Sequence, residues 1–510
     1  MIEGMQAAFL LLFQHGNIIW ILLGTFFGLI YGVLPGLGGV AALTLLLPFT
    51  FGMGTNSAIF LFAGVMGAVP FGGSISAILI NTPGTPTNAA TCLDGYPMTQ
   101  RGEAGKALGI SATSSALGAV VGIIILIILM PVLRFIVLLF GPPEFLMLIL
   151  FGLASIIVAS KGNMVKGLLS GAIGIMLSFV GASLITGMPR YAFETNYLWD
   201  GIKIIPLMIG LFAISEILTL ASKGSESIVD LNVGKISTGS QVFKGVAAVF
   251  ENLGVFFRGS AIGTLIGLIP GVGGAAANFI SYSTALQVSK NPQEFGKGSV
   301  EGVIAAESAN NAKDGGALIP TVAFGIPGSA EMAVLLGAFI LHGLVPGPAL
   351  LKDHVEIVWI IIIALVLSNL LAAVIGLFFA RYLCKIALTP VYYIIPVVAV
   401  LCYVGVFVMH RSIFDVVVAV IFGFVGFGLR RHGYSVITLT IGFILGRLAE
   451  VSFHQSLMMG YNNYLIFFQR PLSLALFCFF VIILIFPIVR KFVSSNKVPA
   501  QKEIRQSGSE

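Results

Sequence analysis

The sequence predicts an all-α polytopic membrane protein of two inverted structural repeats, with broken helices and re-entrant hairpins. About 10–12 membrane segments are expected at ~20 residues per span. Three observations carry this. First, hydrophobic residues make up 57% of the 510 and charged residues only 9%, with a mean hydropathy of +1.03. A soluble globular chain carries about 25% charged residues, so 27 Lys+Arg and 21 Asp+Glu cannot cover a water-facing surface here. Second, apolar runs of spanning length recur along the chain. Third, one glycine- and proline-rich block occurs twice.

The spanning runs lie at 18–34, 108–139, 144–160, 164–186, 203–220, 355–381, 389–408, 412–429 and 472–489. The segment before the first contains Glu3 and no Lys or Arg. With no small-residue cleavage site after 18–34, that run is expected to stay as a helix. Shorter apolar pieces lie at 41–51, 57–70, 74–80, 247–257, 260–269, 275–288, 317–326, 331–345 and 434–446, each cut by Pro or Gly. They read as half-helices, hairpins or tilted spans. A first repeat is assigned to 1–221, a polar linker to 222–245, a second repeat to 246–492 and a polar cytoplasmic tail to 493–510. A further polar stretch, 289–316, precedes the second set of short pieces.

The repeat is legible residue by residue. Gly24, Gly28, Gly32, Pro35, Gly36, Gly38 and Gly39 match Gly259, Gly263, Gly267, Pro270, Gly271, Gly273 and Gly274 at an offset of 235. Gly72, Pro83, Gly84 and Thr85 then match Gly316, Pro327, Gly328 and Ser329 at an offset of 244. Basic residues set the orientation. Arg101 and Lys106 precede 108–139, whereas Arg381 and Lys385 follow 355–381. The two long spans therefore run in opposite directions, with the C-terminus in the cytoplasm. This places Arg190, Lys352 and Arg411 outside.

Each motif suggests a chemistry. The stripes Gly24, Gly28, Gly32 and Gly259, Gly263, Gly267 let helix backbones approach closely. The blocks Pro35, Gly36, Gly38, Gly39 and Pro270, Gly271, Gly273, Gly274 then unwind the chain. Unwound backbone at membrane depth survives only against protein or a water-filled cavity, and paired broken helices are a feature of carriers. In Thr82, Pro83, Gly84, Thr85, Pro86, Thr87, Asn88, Thr85 is a good N-cap and Pro86 a good first helical residue. The free N–H groups of a helix start attract an anion. Gly325, Pro327, Gly328 and Ser329 repeat the pattern, with Ser329 as cap. Glu331 in that first turn either stabilises the dipole or repels an anion. A third motif is a polar stripe of Glu307, Asn310, Asn311, Lys313 and Asp314, with Glu307, Asn310/Asn311 and Asp314 on one helical face. It reads either as a solvated amphipathic face or as a site for a coupling cation, Na⁺ or H⁺, or for a lysine that pairs with a carboxylate.

Other chemistries are excluded. Gly36, Gly38 and Ala41 fit a G-x-G-x-x-A pattern, but a proline-ended apolar helix precedes them instead of a strand. The P-loop pattern, H-E-x-x-H and G-x-S-x-G are absent. Cys92, Cys384, Cys402 and Cys478 lack metal or redox spacing, and the six histidines are scattered. No metal and no organic cofactor are expected, and no enzyme activity. Basic residues do not gather on one face, so no nucleic-acid partner is expected; the outer surface is for the lipid bilayer.

In combination, Gly32 to Gly39, Gly72 to Gly84, Leu93 to Pro97, Ile269 to Gly274, Glu307 to Asn311, Gly325 to Ser329 and His342 to Gly347 resemble the TctA family, the large membrane subunit of the tripartite tricarboxylate transporter. The resemblance covers most of the chain. It departs at Val69-Pro70-Phe71, where the family is expected to carry a tyrosine-rich run. The resemblance implies ion-driven secondary uptake of carboxylates across the bacterial inner membrane. It also implies two partners, a periplasmic solute-binding protein and a small four-helix membrane subunit. The residues themselves give a two-fold repeated carrier with anion-compatible helix tips, working by alternating access. The alternatives are a channel or pore-forming scaffold and, less in keeping with the motifs, an intramembrane enzyme.

Overall fold

The computed structural model describes residues 2–159, 164–183, 186–223 and 239–495. These are helical throughout, apart from turns and one two-stranded ribbon, Gly181–Ala182 against Pro189–Arg190. Seven helices among the described residues are long and apolar enough to cross a membrane, or eight if the bent pair Glu3–Phe13 and Asn17–Val33 counts as one. Shorter apolar helices, such as Leu253–Gly267 and Ala330–Leu341, make up the rest of the apolar segments. Phe135, Ile128 and Phe378 stand exposed on the long helices, as lipid-facing residues do.

Helix order repeats. A helix ending in a Pro-Gly break (Asn17–Val33; Leu253–Gly267) is followed by a helix after the break (Gly38–Leu46; Gly273–Val288). Next come a buried helix (Thr55–Ile80; Val300–Phe324), a tip, a 12-residue helix (Ala89–Gln100; Ala330–Leu341) and a long helix (Ala104–Leu138; Val355–Ala387). Backbone conformation repeats as well. Gly36 and Gly271 have φ of +87° and +82°, Gly38 and Gly273 have +57° and +76°, and Asn81 and Gly325 have +55° and +70°. Glycine is needed at the two breaks because an L side chain is strained there.

The glycine stripes do what their spacing predicts. A Cβ on Gly24, Gly28 or Gly32 would meet the carbonyls of Leu61, Val65 or Val69, and one on Gly263 or Gly267 those of Ala309 or Lys313. Each broken helix thus lies parallel to its own buried helix. The long helices are exchanged between the copies. Gly118 and Gly122 of the first long helix sit on Ser308 and Ala312, while Gly67 meets Ser368 and Asn369 of the second. Where the two buried helices face each other, Pro70 shares a cavity with Lys313 and Asp314, while Ser74 bonds Glu307. The order is reversed, so they run antiparallel.

Three expectations are corrected. The pieces 57–70 and 74–80 form one helix, Thr55–Ile80, through Pro70. Surrounding helices hold such a proline in place. The polar stretch 289–316 does not end where the following apolar piece begins. From Val300 onward it joins the following apolar piece in a 25-residue helix with Pro320 inside, and its polar residues are buried. The short piece 434–446 belongs to a 24-residue helix, Val436–Met459. The last residues of the expected linker already belong to the helix Gly239–Glu251. Its earlier part, 224–238, and the tail beyond 495 lie outside the described residues.

Asp94 explains how the copies lock. Its carboxylate accepts from the backbone N–H groups of Gly298 and Ser299, each at 2.8 Å, and from the Tyr282 hydroxyl at 2.8 Å. Ser299 caps the buried helix by accepting from Gly302 N at 3.2 Å. One carboxylate of the first copy therefore satisfies the helix start of the second. Asp94→Asn keeps one oxygen for the two N–H groups but removes the charge they share and turns a donor toward the Tyr282 hydroxyl, so a loss of about 1–3 kcal/mol is expected. A lowered thermal midpoint of the purified chain checks this; an unchanged midpoint would remove the lock.

Candidate functional site

Near the centre, a cavity of about 20 Å³ is lined by Gly39, Leu43, Met66, Val69, Pro70, Thr85, Thr87, Lys313, Asp314 and Glu331. That is room for about one water-sized occupant. A carboxylate substrate needs far more, roughly 300 Å³ or above for a typical small-molecule site. The cavity in this conformation is too small for such a substrate.

Its walls come from both copies in matched fashion. A Cβ on Gly39 would lie 3.3 Å from Glu331 Cγ, and one on Gly274 would lie 2.6 Å from Thr87 Cγ2. Gly39 and Gly274 are equivalent at the offset 235, and Thr87 and Glu331 at the offset 244. Each break therefore packs against the first turn beyond the other copy's tip. Gly274 also holds the stem of Lys313, whose Cδ would be 2.5 Å from its Cβ.

The tips themselves are packing structures. The chain doubles back after each buried helix, so that Gly84 N donates to Gly73 O at 3.3 Å and Gly328 N to Thr321 Oγ1 at 3.2 Å. Gly328 O in turn accepts from Gly271 N at 3.3 Å, tying the second tip to its own break. The expectation that Gly84 and Gly328 present free N–H groups to an anion is corrected: both donors are already used inside the protein. Ser329 caps as expected, accepting from Met332 N at 3.3 Å. Thr85 does not. Its hydroxyl lies 2.6 Å from Thr87 Oγ1 and donates to Asn88 Oδ1 at 2.5 Å. The helix there begins as a 3₁₀ turn at Pro86, before the α-helix from Ala89.

The polar stripe is distributed around its helix and buried on every side. Lys313 Nζ contacts Asp314 Oδ1 at 2.5 Å at the cavity. Among the lining residues Lys313 is the one cation, faced by the carboxylates of Asp314 and Glu331. Asn311 turns the other way, accepting from Ser115 at 2.8 Å and donating to Asn369. Glu307 is wholly buried and accepts from Ser74 Oγ at 2.8 and 2.9 Å and from Thr91 Oγ1. Ser111 and Asn310 border the same carboxylate. The reading of the stripe as a solvated face is corrected.

Of the expected site residues, the structure brings Gly39, Thr85, Thr87, Lys313 and Asp314 to the cavity, with Gly274 behind Lys313. Asn88, Glu307, Asn310 and Asn311 lie within the packed core. Pro35, Gly36, Gly38, Pro270, Gly271, Gly273, Thr82, Pro83, Gly84, Gly325, Pro327, Gly328 and Ser329 shape the breaks and tips without lining the cavity. Sequence reasoning missed the partners Ser74, Thr91, Tyr282 and Asn278. Asn278 Nδ2 donates to Thr87 O at 2.7 Å. No local signal marks these residues, because their roles arise from pairing across more than a hundred positions.

Residues 18–441 match the model of the tripartite tricarboxylate transporter TctA family. The chain belongs to the TctA family. It is 33% identical over 461 residues to an uncharacterised 52.8 kDa protein from the TAR-I ttuC′ 3′ region of Agrobacterium vitis, covering 90% of this chain and 91% of that one. It is 34% identical over 233 residues to an uncharacterised protein from the TAR-II ttuC′ 3′ region of the same organism, covering 45% of this chain and 96% of that one. No solved structure matches. This TctA-family chain is a multi-pass membrane protein of a tricarboxylate transporter family.

Proposed function

We propose that this TctA-family chain is the translocating subunit of an ion-coupled carboxylate importer of the bacterial inner membrane. It works with a periplasmic solute-binding protein and a small four-helix membrane subunit. The observation that carries this is the crossed packing of Gly39 on Glu331 and of Gly274 on Thr87 around a single buried lysine. Two copies that meet at one site, each through its break and the other's tip, can open on one side while staying closed on the other.

In this reading Lys313 receives a substrate carboxylate once the tips part, releasing its pairing with Asp314. The hydroxyls of Thr85 and Thr87 form the polar wall beside it. Two carboxylates against one lysine leave the cavity net negative when both are ionised, so an anion enters only with a co-bound cation, Na⁺ or H⁺. That gives symport a physical reason. Saturable, gradient-dependent uptake by the reconstituted three-component system is expected, against a channel, which would pass substrate without saturation.

The inverted arrangement predicts sidedness. The Arg101 guanidinium bonds Gly298 O at 2.6 Å, and Gln241 Nε2 bonds Gly102 O at 3.1 Å. Lys166 Nζ bonds His432 O at 2.6 Å. These contacts gather basic loops of both copies at common ends, as cytoplasmic loops should be. Lys244 and His432 are both exposed. Lys244→Cys and His432→Cys are expected to react only from the cytoplasm, and Glu194→Cys only from outside. The opposite labelling of any one in intact cells refutes the orientation.

A further inference from the structure

Glu307 is a carboxylate with no cation beside it. It is 0% exposed, and its contacts are hydroxyls from two helices of the other copy, Ser74 and Thr91. An ionised carboxylate buried with no cation beside it is costly, and such a group inside a membrane protein marks a function before a structural role.

The hydrogen bonds leading away from it share one direction. Asn88 Nδ2 donates to Ser74 Oγ at 2.7 Å and to Pro70 O at 2.9 Å. Asn88 Oδ1 must then accept, and it does so from Thr85 Oγ1. With the Thr85 proton committed, Thr87 donates to Thr85. Thr85 and Thr87 line the central cavity. An ordered chain therefore runs from the cavity wall to Glu307, every donor arranged to suit a carboxylate at its end. Ser74 has a second acceptor in place, Pro70 O at 3.1 Å. A protonated Glu307 becomes a donor to Ser74, and the Ser74 hydroxyl then turns to Pro70 O. Pro70 itself lines the cavity.

We propose that Glu307 carries the coupling proton, and that the chain Ser74–Asn88–Thr85–Thr87 reports its charge to the first tip at the substrate cavity. The inference rests on the transport reading above and deepens it by naming the ion and its seat. Glu307 takes one proton from the outer side and releases it on the inner side; no bond other than O–H is made or broken. The amide of Asn88 does not conduct protons. It transmits the change by which partners its neighbours keep. The titratable and charged groups around Glu307 are few. Cys92 faces it from the helix Ala89–Gln100. Asp94 on that helix is held by Gly298, Ser299 and Tyr282, and Lys313 and Asp314 pair with each other further along the helix of Glu307. The packed faces of Thr55–Ile80 and Ala104–Leu138 offer it the hydroxyls of Ser74 and Ser111.

The test uses the chain reconstituted with both partner subunits in proteoliposomes, with citrate, succinate and benzoate as probe carboxylates. For any probe that the parent accumulates under an imposed pH gradient, Glu307→Gln is expected to lose accumulation at least tenfold. Exchange of labelled for unlabelled probe, which requires no net proton movement, is expected to persist within about threefold. Accumulation by Glu307→Gln that still follows the pH gradient overturns the proposal. So does accumulation by the parent that follows only a Na⁺ gradient. A second measurement needs no substrate: infrared titration of the purified parent should show a protonated-carboxyl band that is missing from Glu307→Gln. Ser74→Ala removes a donor to the ionised form and should move that band's midpoint to higher pH. Absence of a titrating band assigned to Glu307 overturns the proposal even if every probe is transported. If the band is present and no probe is transported, the carboxylate reading fails and the proton site stands.

Discussion

Gly84→Val is expected to abolish transport by preventing the first tip from assembling. A Cβ at this position would overlap Gly32 O, and would lie 2.7 Å from Gly73 Cα. Both neighbours are backbone atoms of packed helices and cannot rotate aside. One is the last stripe glycine before the break, so the intrusion separates the broken helix from its buried partner. Overpacking a core costs typically about 1–3 kcal/mol, and more where the backbone has to move. Gly328→Val crowds its own buried helix, with its Cβ 2.7 Å from Ala317 Cα and O, and loss of assembly is expected there too. Low recovery of monodisperse protein and a depressed thermal midpoint check it. Gly54→Ala is the control, since a Cβ there meets nothing within 4 Å, and it should behave as the parent. A Gly84→Val protein that melts with the parent yet fails to transport would return this glycine to direct ligand contact.

Tips that pack where an anion seat was expected show what the sequence could and could not reveal. Glycine spacing and the Pro-Gly pairs are local signals, and they located both breaks and both tips. The opposite running of the two long spans was legible too, from basic residues that precede one and follow the other. What the tips do was not legible. The N–H of a glycine after proline has the same sequence whether it faces a ligand or, as here, Gly73 O. The first part of the helix Val300–Phe324 read equally well as a solvated amphipathic face because Glu301, Glu307, Lys313 and Asp314 depress its apolar character. It is a buried helix only because Ala104–Leu138 and Leu253–Gly267 pack along it by glycine contacts at Gly118, Gly122, Gly263 and Gly267. The same holds for Val436–Met459, whose Glu450 is paired with Arg190 at 2.7 Å. Burial of charge depends on partners hundreds of residues away, and periodicity does not report them. Pro70 and Pro320 misled for a related reason: proline ends an isolated helix, while a proline held by neighbours on all sides stays within one.

Lys313→Gln is expected to fail twice, and the two failures can be separated. The Lys313 ammonium is buried against Asp314 at 2.5 Å. Removing it alone leaves a buried carboxylate without its partner, which costs about 3–5 kcal/mol. Asp314→Asn leaves the lysine facing Glu331 alone, so a smaller loss is expected. The double variant Lys313→Gln/Asp314→Asn replaces the ion pair by two neutral groups of similar shape. The two amides can keep one neutral hydrogen bond between them and leave no buried charge at either position, so the double variant should recover part of the lost thermal midpoint. Its transport should not recover. The double variant has no positive charge in the cavity wall, and a carboxylate arriving there meets amides and the remaining Glu331. Charge-assisted hydrogen bonds are roughly twice as strong as neutral ones, so affinity for any carboxylate should drop by at least tenfold while folding is intact. A thermal melt and an uptake assay on the parent, both single variants and the double variant separate the two effects. Stable single variants would mean that the pair is not buried as described. A double variant that takes up substrate as the parent does would mean that Lys313 serves the fold alone, and the substrate's cationic partner must then be sought away from this cavity.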